Sequence, residues 1–499
     1  MVGPEHLILQ SVPPYNPTLR HNVLYVSPLP ALATVSQLLI PVGPNIFLSN
    51  HGRWKTGYRD CGGGIIGCTT AYYLTKHPSF DPSRHSITLL EATRIGGGAS
   101  GKAGGLLAQW AYPASIVPLS FDLHSQLAEA HDGVRQWGYR RISCGKLTAK
   151  DQKISTSEAA TSWTQLATWF PLGKRKYIKE ENKDLPAKDF PDDLDWFNAE
   201  SIKSYEDIST TDATAQVNPF QFTMAMARLA EEGGANVILG SVSAIGYAPG
   251  DQQSLKEQYV AKEKGGGSIS GNATREKKVQ SVSYIDKATS ESRSIPATIV
   301  VIAAGPWTPV LFPSAPISSL RAHSVTIRPT KPVSAYCLFT EIPLAPDDAD
   351  GHESEQGDPA VPREIAKVIC PEIYSRPNNE VYVCGSGDNV VPLPANTDAV
   401  EVSRQDCQNI VDAVASISDE LGNGAVTSRR ACYLPVTNGG GSGGPLIGET
   451  GVPGLLLAAG HSCWGIHNAP ATGKLISEII FDGEATSADI RSLDPRLVV

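Results

Sequence analysis

The chain has 499 residues, 41% of them hydrophobic and 19% charged, enough apolar material for more than one compact core. Its 42 Lys and Arg against 51 Asp and Glu leave a formal charge of −9, which excludes a general affinity for nucleic-acid phosphates or anionic membrane surfaces. Nine scattered cysteines without a CxxC pair point to a reducing compartment, the cytosol, and to neither a disulfide framework nor a metal site.

The stretch from Val23 to Leu48 is moderately apolar, but Pro28, Pro30, Pro41 and Pro44 interrupt it and no basic run precedes it. Neither a signal peptide nor a membrane span is expected. The first strong unit is Gly62-Gly63-Gly64-Ile65-Ile66-Gly67, followed by a helical run from Cys68 to Lys76 and the strand-like Ser86-Ile87-Thr88-Leu89-Leu90-Glu91. Turn, helix, strand and terminal acid in this order make a dinucleotide-binding βαβ unit. Gly62 permits the tight turn, Gly64 lets the backbone approach a pyrophosphate, and Gly67 lets the helix pack close to its sheet. The helix N-terminus faces the anion, and Glu91 accepts hydrogen bonds from ribose hydroxyls.

The strand leading into Gly62 is discordant. A buried parallel strand is a continuous apolar run, whereas the sequence reads Trp54-Lys55-Thr56-Gly57-Tyr58-Arg59-Asp60-Cys61. Burying Lys55, Arg59 and Asp60 unpaired is costly. Two readings stay open: another segment supplies the strand, or residues 1–60 are an atypical N-terminal extension. A misassigned first exon would explain such an extension; so would descent to a cofactor-free protein.

Further along, Asn218-Pro219 predicts a helix start, with Phe222, Met226, Leu229 and Ala230 at helical spacing and Gly233-Gly234 as its stop. Asn236 to Tyr247, Glu257 to Ala261 and Val279 to Ile285 read as strands, the last two joined by a surface loop from Lys262 to Lys278. Thr298-Ile299-Val300-Val301-Ile302 reads as a buried parallel strand ending at Ala303-Ala304-Gly305-Pro306. Ser324 to Arg328, Glu372 to Ser375 and Glu380 to Cys384 read as antiparallel strands, the last two joined across Pro377-Asn378-Asn379. Asp347 to Asp358 is acidic and turn-rich, a solvated insertion. Gly454 to Gly460 is a strand running into a loop, and Pro470 to Phe481 a helix.

In this order the pieces resemble the flavoprotein amine and amino-acid oxidase family, the group of D-amino-acid oxidase, glycine oxidase and monomeric sarcosine oxidase. The resemblance rests on the Gly62–Gly67 loop with Glu91, on Gly98-Ala99-Ser100-Gly101-Lys102-Ala103-Gly104-Gly105, on Val300-Val301-Ile302-Ala303-Ala304-Gly305-Pro306-Trp307, and on Pro445-Leu446-Ile447-Gly448 followed by Gly460-His461-Ser462-Cys463-Trp464-Gly465. The wording is most similar to an intracellular fungal branch of FAD-dependent oxidoreductases, some of them linked to endosomal recycling. The resemblance implies FAD, contacted by Gly62, Gly64, Ile65, Ile66, Gly67, Glu91, Ala99, Ser100, Gly101, Gly104, Gly105, Val242, Ala304, Gly305, Trp307, Gly460, His461, Trp464, Gly465 and Ile466. A helix start near Ala469 and Pro470 would set positive partial charge by the flavin.

The implied fold is α/β plus α+β. A Rossmann-like FAD domain from 61–115, 211–312 and 431–487 is interleaved with an antiparallel-sheet substrate domain from 116–210 and 313–430. The implied reaction removes a hydride from carbon next to an amine nitrogen of a small-molecule amine or amino-acid-like substrate, the reduced flavin being reoxidised by O₂ or another acceptor. A cytoplasmic location is implied, with endosome association for part of the branch.

Amino-acid oxidases of the family hold the substrate carboxylate with a basic residue, a task suited to arginine. By placement, this sequence has Gln109 and His467 where sarcosine oxidase has arginine and lysine. Arg321 and His323 are candidate substitutes, Lys331 is a candidate for aiding electron transfer to O₂, and Cys432 falls where sarcosine oxidase and fungal fructosyl-amino-acid oxidases attach FAD covalently. Two other functions stay open: a nicotinamide-dependent dehydrogenase using only the first βαβ unit, and a catalytically weak or inactive flavoprotein acting as an interaction partner in endosomal trafficking.

Overall fold

The structure is a computed structural model that describes residues 56–152, 190–249, 277–344, 368–438 and 444–499. The Val23–Leu48 stretch, the Glu257–Ala261 strand, most of the 262–278 loop and the acidic insertion lie outside those residues. The first of two eight-stranded sheets has the strand order Ser292–Pro296, Lys277–Asp286, Asn236–Pro249, His85–Glu91, Thr56–Cys61, Ile299–Ile302, Leu455–Ala459 and Leu446–Glu449. Its central pairings, through Thr56–Cys61 (β1) and His85–Glu91 (β2), are parallel, as is that of Ile299–Ile302 with Leu455–Ala459. Toward one edge it continues as an antiparallel meander.

β1 is built from the discordant segment itself, so another segment does not supply this strand. Its charged pair is accommodated unequally because successive side chains point to opposite faces. Arg59 is buried, and its guanidinium donates to the carbonyls of Pro296 (3.1 Å), Tyr58 (3.0 Å) and Ser86 (3.0 Å) and to Ser86 Oγ (3.0 Å). Asp60, 1% exposed, has no hydrogen-bond partner for either carboxylate oxygen. Burial pushes its pKa well above the ordinary carboxylate value.

Helix α1 (Ile65–Lys76) leaves the glycine loop and packs on this sheet with α3 (Pro219–Glu232) and α5 (Gly465–Asp482). α3 begins as expected: the Asn218 side chain accepts from the Gln221 N–H at 3.2 Å, and Pro219 occupies the first turn. α5 does not begin at Pro470; it starts at Gly465 and carries the proline inside. A helical proline leaves the carbonyl four residues back without its donor. Here His124 of α2 (Val117–Ala130) reaches the Ile466 carbonyl at 3.0 Å, while Ser120 donates to the His467 carbonyl at 2.6 Å and accepts from the Ala471 N–H at 3.2 Å. Ser120→Ala should therefore cost about 2 kcal/mol, read as a lower urea midpoint; an unchanged midpoint would show that the break needs no such repair.

The second sheet follows the order Ala425–Thr437, Ile317–Arg328, Glu380–Asp388, Glu372–Arg376, Tyr336–Pro343, Ser143–Ala149 and Ile202–Ser209, with Val368–Ile369 attached at the side. The expected hairpin is present, its three-residue loop between Arg376 and Glu380 holding Asn378 at φ 66° and Asn379 at φ 53°, left-handed values that asparagine tolerates. A second apolar core lies between this sheet and helix α4 (Arg404–Ala415).

Candidate functional site

Register brings the sequence motifs together. Cys61 lies opposite Leu90 and Ile302, and Ile302 opposite Leu457, so four parallel strands end level with one another. The loops after them meet at the carboxyl edge of the sheet, where open α/β sheets bind ligands. A groove with a cavity volume of about 220 Å³ runs along that edge.

Gly62, Gly64, Ile65, Ile66, Glu91, Ala99, Ser100, Val242, Ala304, Gly305, Trp307, His461, Gly465 and Ile466 line this groove. Gly67, Gly101, Gly105 and Gly460 do not: a Cβ on any of them would come within 2.0–2.2 Å of a neighbouring protein atom, so their smallness serves packing. Gly104 lines a second cavity. The Trp464 ring packs among Trp110, Tyr112 and His467. Sequence reasoning missed Ala395, Asn396 and Thr397. This loop arrives from the second sheet and is held by Trp307 Nε1 donating to the Pro394 carbonyl at 2.7 Å, a contact with no local sequence signal.

The geometry fits a dinucleotide. Gly64 has φ −74°, ψ 175°, open to any residue, yet a Cβ there would meet only Ser100 Oγ, at 3.2 Å; its bareness faces the groove. Helix α1 has no acid in its first turn and no side-chain bond from its capping residue, and the Ile65 N–H donates to Ser100 Oγ at 2.9 Å. Such a helix start suits a pyrophosphate. Glu91 Oε2 accepts from the Gly63 N–H at 2.8 Å and Oε1 from the Thr93 N–H at 2.9 Å. Its carboxylate is thus fixed beside the loop with acceptor capacity left for hydroxyls.

The second cavity shares Ala99, Ala103, Leu434 and Cys463 with the groove. Its wall includes Lys102, Lys146, Phe339, Glu372, Tyr374, Tyr382 and Cys432, all but Lys102 standing on strands of the second sheet.

Of the predicted substrate-side residues only His323 lines it. Burial lowers the pKa of His323, and Nε2 accepts from the Ser403 N–H at 3.1 Å. Arg321 is turned away and donates to both oxygens of Asp388 at 3.1 Å. Lys331 is a solvent-facing lysine, its side chain 80% exposed and 3.5 Å from Glu420. His467 sits in the first turn of α5 because that helix starts earlier than expected, and it lines neither cavity. Its Nδ1 accepts from the Ala108 N–H at 3.3 Å, and burial holds its pKa well below the usual value; it carries no charge for a carboxylate. Gln109 is exposed and lines neither cavity.

Cys432 lines the second cavity and not the groove. Burial pushes its thiol up to about 11, with Lys102 opposing, so at neutral pH it is a thiol and a poor nucleophile. Acid precipitation of the holoprotein should release its yellow colour, and Cys432→Ser should keep FAD as the wild type does. Colour that stays with precipitated wild type but leaves Cys432→Ser would establish a tether instead.

The FAD dependent oxidoreductase (DAO) family matches residues 61–479, and the chain belongs to it: this is an FAD-dependent oxidoreductase. TDA3 of Saccharomyces cerevisiae is 37% identical, over 87% of this chain and 93% of its own length. C1F5.03c of Schizosaccharomyces pombe is 31% identical, over 87% and 96%. Glycine oxidase from Geobacillus kaustophilus has the same fold, with a TM-score of 0.55 at 18% identity over 88% of this chain and 97% of that one.

Proposed function

We propose that the chain oxidises a small secondary or otherwise modified amine, removing a hydride from the carbon next to nitrogen. The observation that carries this reading is the pair of joined cavities, a groove lined by the glycine loop, the start of α1 and Glu91 that meets an aromatic-walled pocket at Ala99, Ala103, Leu434 and Cys463. Bound FAD supplies the two-electron acceptor and passes the electrons on to O₂ or another acceptor. The chain's task is to bind, orient and keep water out.

Gly64 and the start of α1 hold the pyrophosphate, and Glu91 holds ribose hydroxyls. Gly465 and Ile466, at the N-terminus of the long helix α5, bring positive partial charge to the far part of the groove. His461 stays neutral there, since burial pushes its pKa down to about 3, and its ring is fixed by Thr472 Oγ1 at 3.0 Å. Loss of a hydride from carbon and a proton from nitrogen leaves an imine, which water splits to a carbonyl compound and a free amine.

Among the described residues no helix is long and apolar enough to cross a membrane. The nine unpaired cysteines favour the reducing cytosol as the place of action. The test is to supply purified holoprotein with a panel of amines and follow O₂ uptake together with the carbonyl product. Carbonyl formed with an amine supports the reading. Stable FAD binding without turnover on any amine would favour the inactive interaction partner, and flavin reduction by NADH or NADPH alone would favour nicotinamide chemistry.

A further inference from the structure

We propose that the substrate of this site is an alkylated ammonium ion without a carboxylate, recognised as a cation by carboxylates and aromatic faces. This rests on the amine-oxidation reading and names its substrate class. The second cavity is lined by Glu206, Asp207, Glu341 and Glu372 against two lysines, Lys102 and Lys146. Neither lysine is available to a ligand carboxylate. Lys146 Nζ lies 2.8 Å from Glu341. Lys102 Nζ donates to the Ala431 carbonyl at 2.8 Å, and burial works against its charge.

Among the described residues, two nearby arginines are held as well. Arg376 is buried, 2.9 Å from Glu380, and donates to the carbonyls of Ala103 and Gly104, which ties the loop between the cavities to the second sheet. Arg321 is held by Asp388. His323 is neutral: with Nε2 accepting from Ser403, its proton sits on Nδ1, 3.8 Å from both Asp388 and Asp406. An amino-acid substrate would therefore bring its carboxylate to a wall that, among the described residues, is mainly anionic and whose two lysines are held by protein groups, an arrangement that disfavours anionic ligands.

A cation finds the opposite. Glu372 accepts from the Tyr374 hydroxyl and lines the second cavity together with Cys463, a residue of both cavities whose pKa is raised by burial first and by the Glu372 charge second. Phe339 and Tyr374 add ring surface; Tyr382 meets Tyr374 edge to face with centroids 5.6 Å apart and carries the Arg376 guanidinium over its ring, 4.6 Å from the centroid. Carboxylate plus aromatic faces is the chemistry that holds alkylated ammonium groups. Glu206 and Asp207 are exposed and extend the negative potential to the solvent side, which favours encounter with cations.

The test titrates FAD-loaded protein with benzyltrimethylammonium and with benzoate, which share a ring and differ in charge, following the visible absorption of the flavin. Benzyltrimethylammonium should bind at least about tenfold more tightly, and Glu372→Gln, with its FAD content checked, should remove most of that preference. Tighter binding of benzoate, or no difference between the two, would overturn the proposal. Substrates separate it from the reading beneath it. Reduction of the flavin by N-methylated amino acids in preference to N-methylated alkylamines would overturn the substrate class and leave amine oxidation standing. Preference for the cation in the titration, with no amine reducing the flavin, would keep the recognition and overturn the oxidase reading.

Discussion

Gly64→Leu should strip FAD from the protein while leaving its fold in place. The backbone at Gly64 is extended, φ −74° and ψ 175°, so a side chain adds no backbone strain there, and the one protein atom near its Cβ would be Ser100 Oγ at 3.2 Å, which must shift by a few tenths of an ångström. The added group projects into the groove, where it occupies space that a pyrophosphate needs. Overpacking of this kind costs about 1–3 kcal/mol, a rise of roughly ten- to a hundredfold in Kd. Gly62→Ala is the contrasting case, since Gly62 has φ +144° and its Cβ would lie 2.3 Å from the Ala303 carbonyl oxygen; it should lower the melting temperature of the FAD-free protein. Unchanged FAD occupancy in Gly64→Leu would remove the groove from consideration as the cofactor site.

Asp60→Val should make the protein more stable, and increasingly so as the pH rises. The carboxyl of Asp60 is buried beneath α1 without a hydrogen-bond partner, with Oδ1 3.2 Å from the place of a Cβ on Gly67. An apolar β-branched side chain suits a central strand and should gain about 1–3 kcal/mol. The sign with pH follows from proton binding. Burial raises the Asp60 pKa in the folded state, so above about pH 4, where the unfolded chain loses this proton, the folded state still holds it. Folding then binds a proton, and wild-type stability falls as pH rises from the unfolded pKa to the folded one. Denaturant unfolding of both proteins across that range measures it. A gain that does not grow with pH, or a loss, would mean that the carboxylate is stabilised in the folded state.

The local chemistry of the chain was legible where a single segment carries it. Gly62, Gly64 and Glu91 announce the groove because turn, helix start and strand-end acid lie within one βαβ unit, and Asn378-Asn379 marks its hairpin because only a few residues favour positive φ. β1 was misread by a sound rule: central parallel strands are apolar, but Arg59 is satisfied by carbonyls of Tyr58, Ser86 and Pro296, and Asp60 is left with its cost. The start of α5 was misplaced for a tertiary reason, because the carbonyl that Pro470 frees is taken by His124, far away in sequence. The second cavity was illegible because Lys146, Glu372 and Cys432 reach it from separate strands.

The most direct test mixes the FAD-loaded protein, without O₂, with an N-methylated alkylamine and with the same amine deuterated on the carbon next to nitrogen, following the visible band of the flavin. The band should bleach in a single turnover, more slowly with the deuterated amine, because the proposed reaction breaks that C–H bond. A band that stays oxidised with every amine tested, or bleaches only with NADH or NADPH, would contradict amine oxidation as the work of this protein.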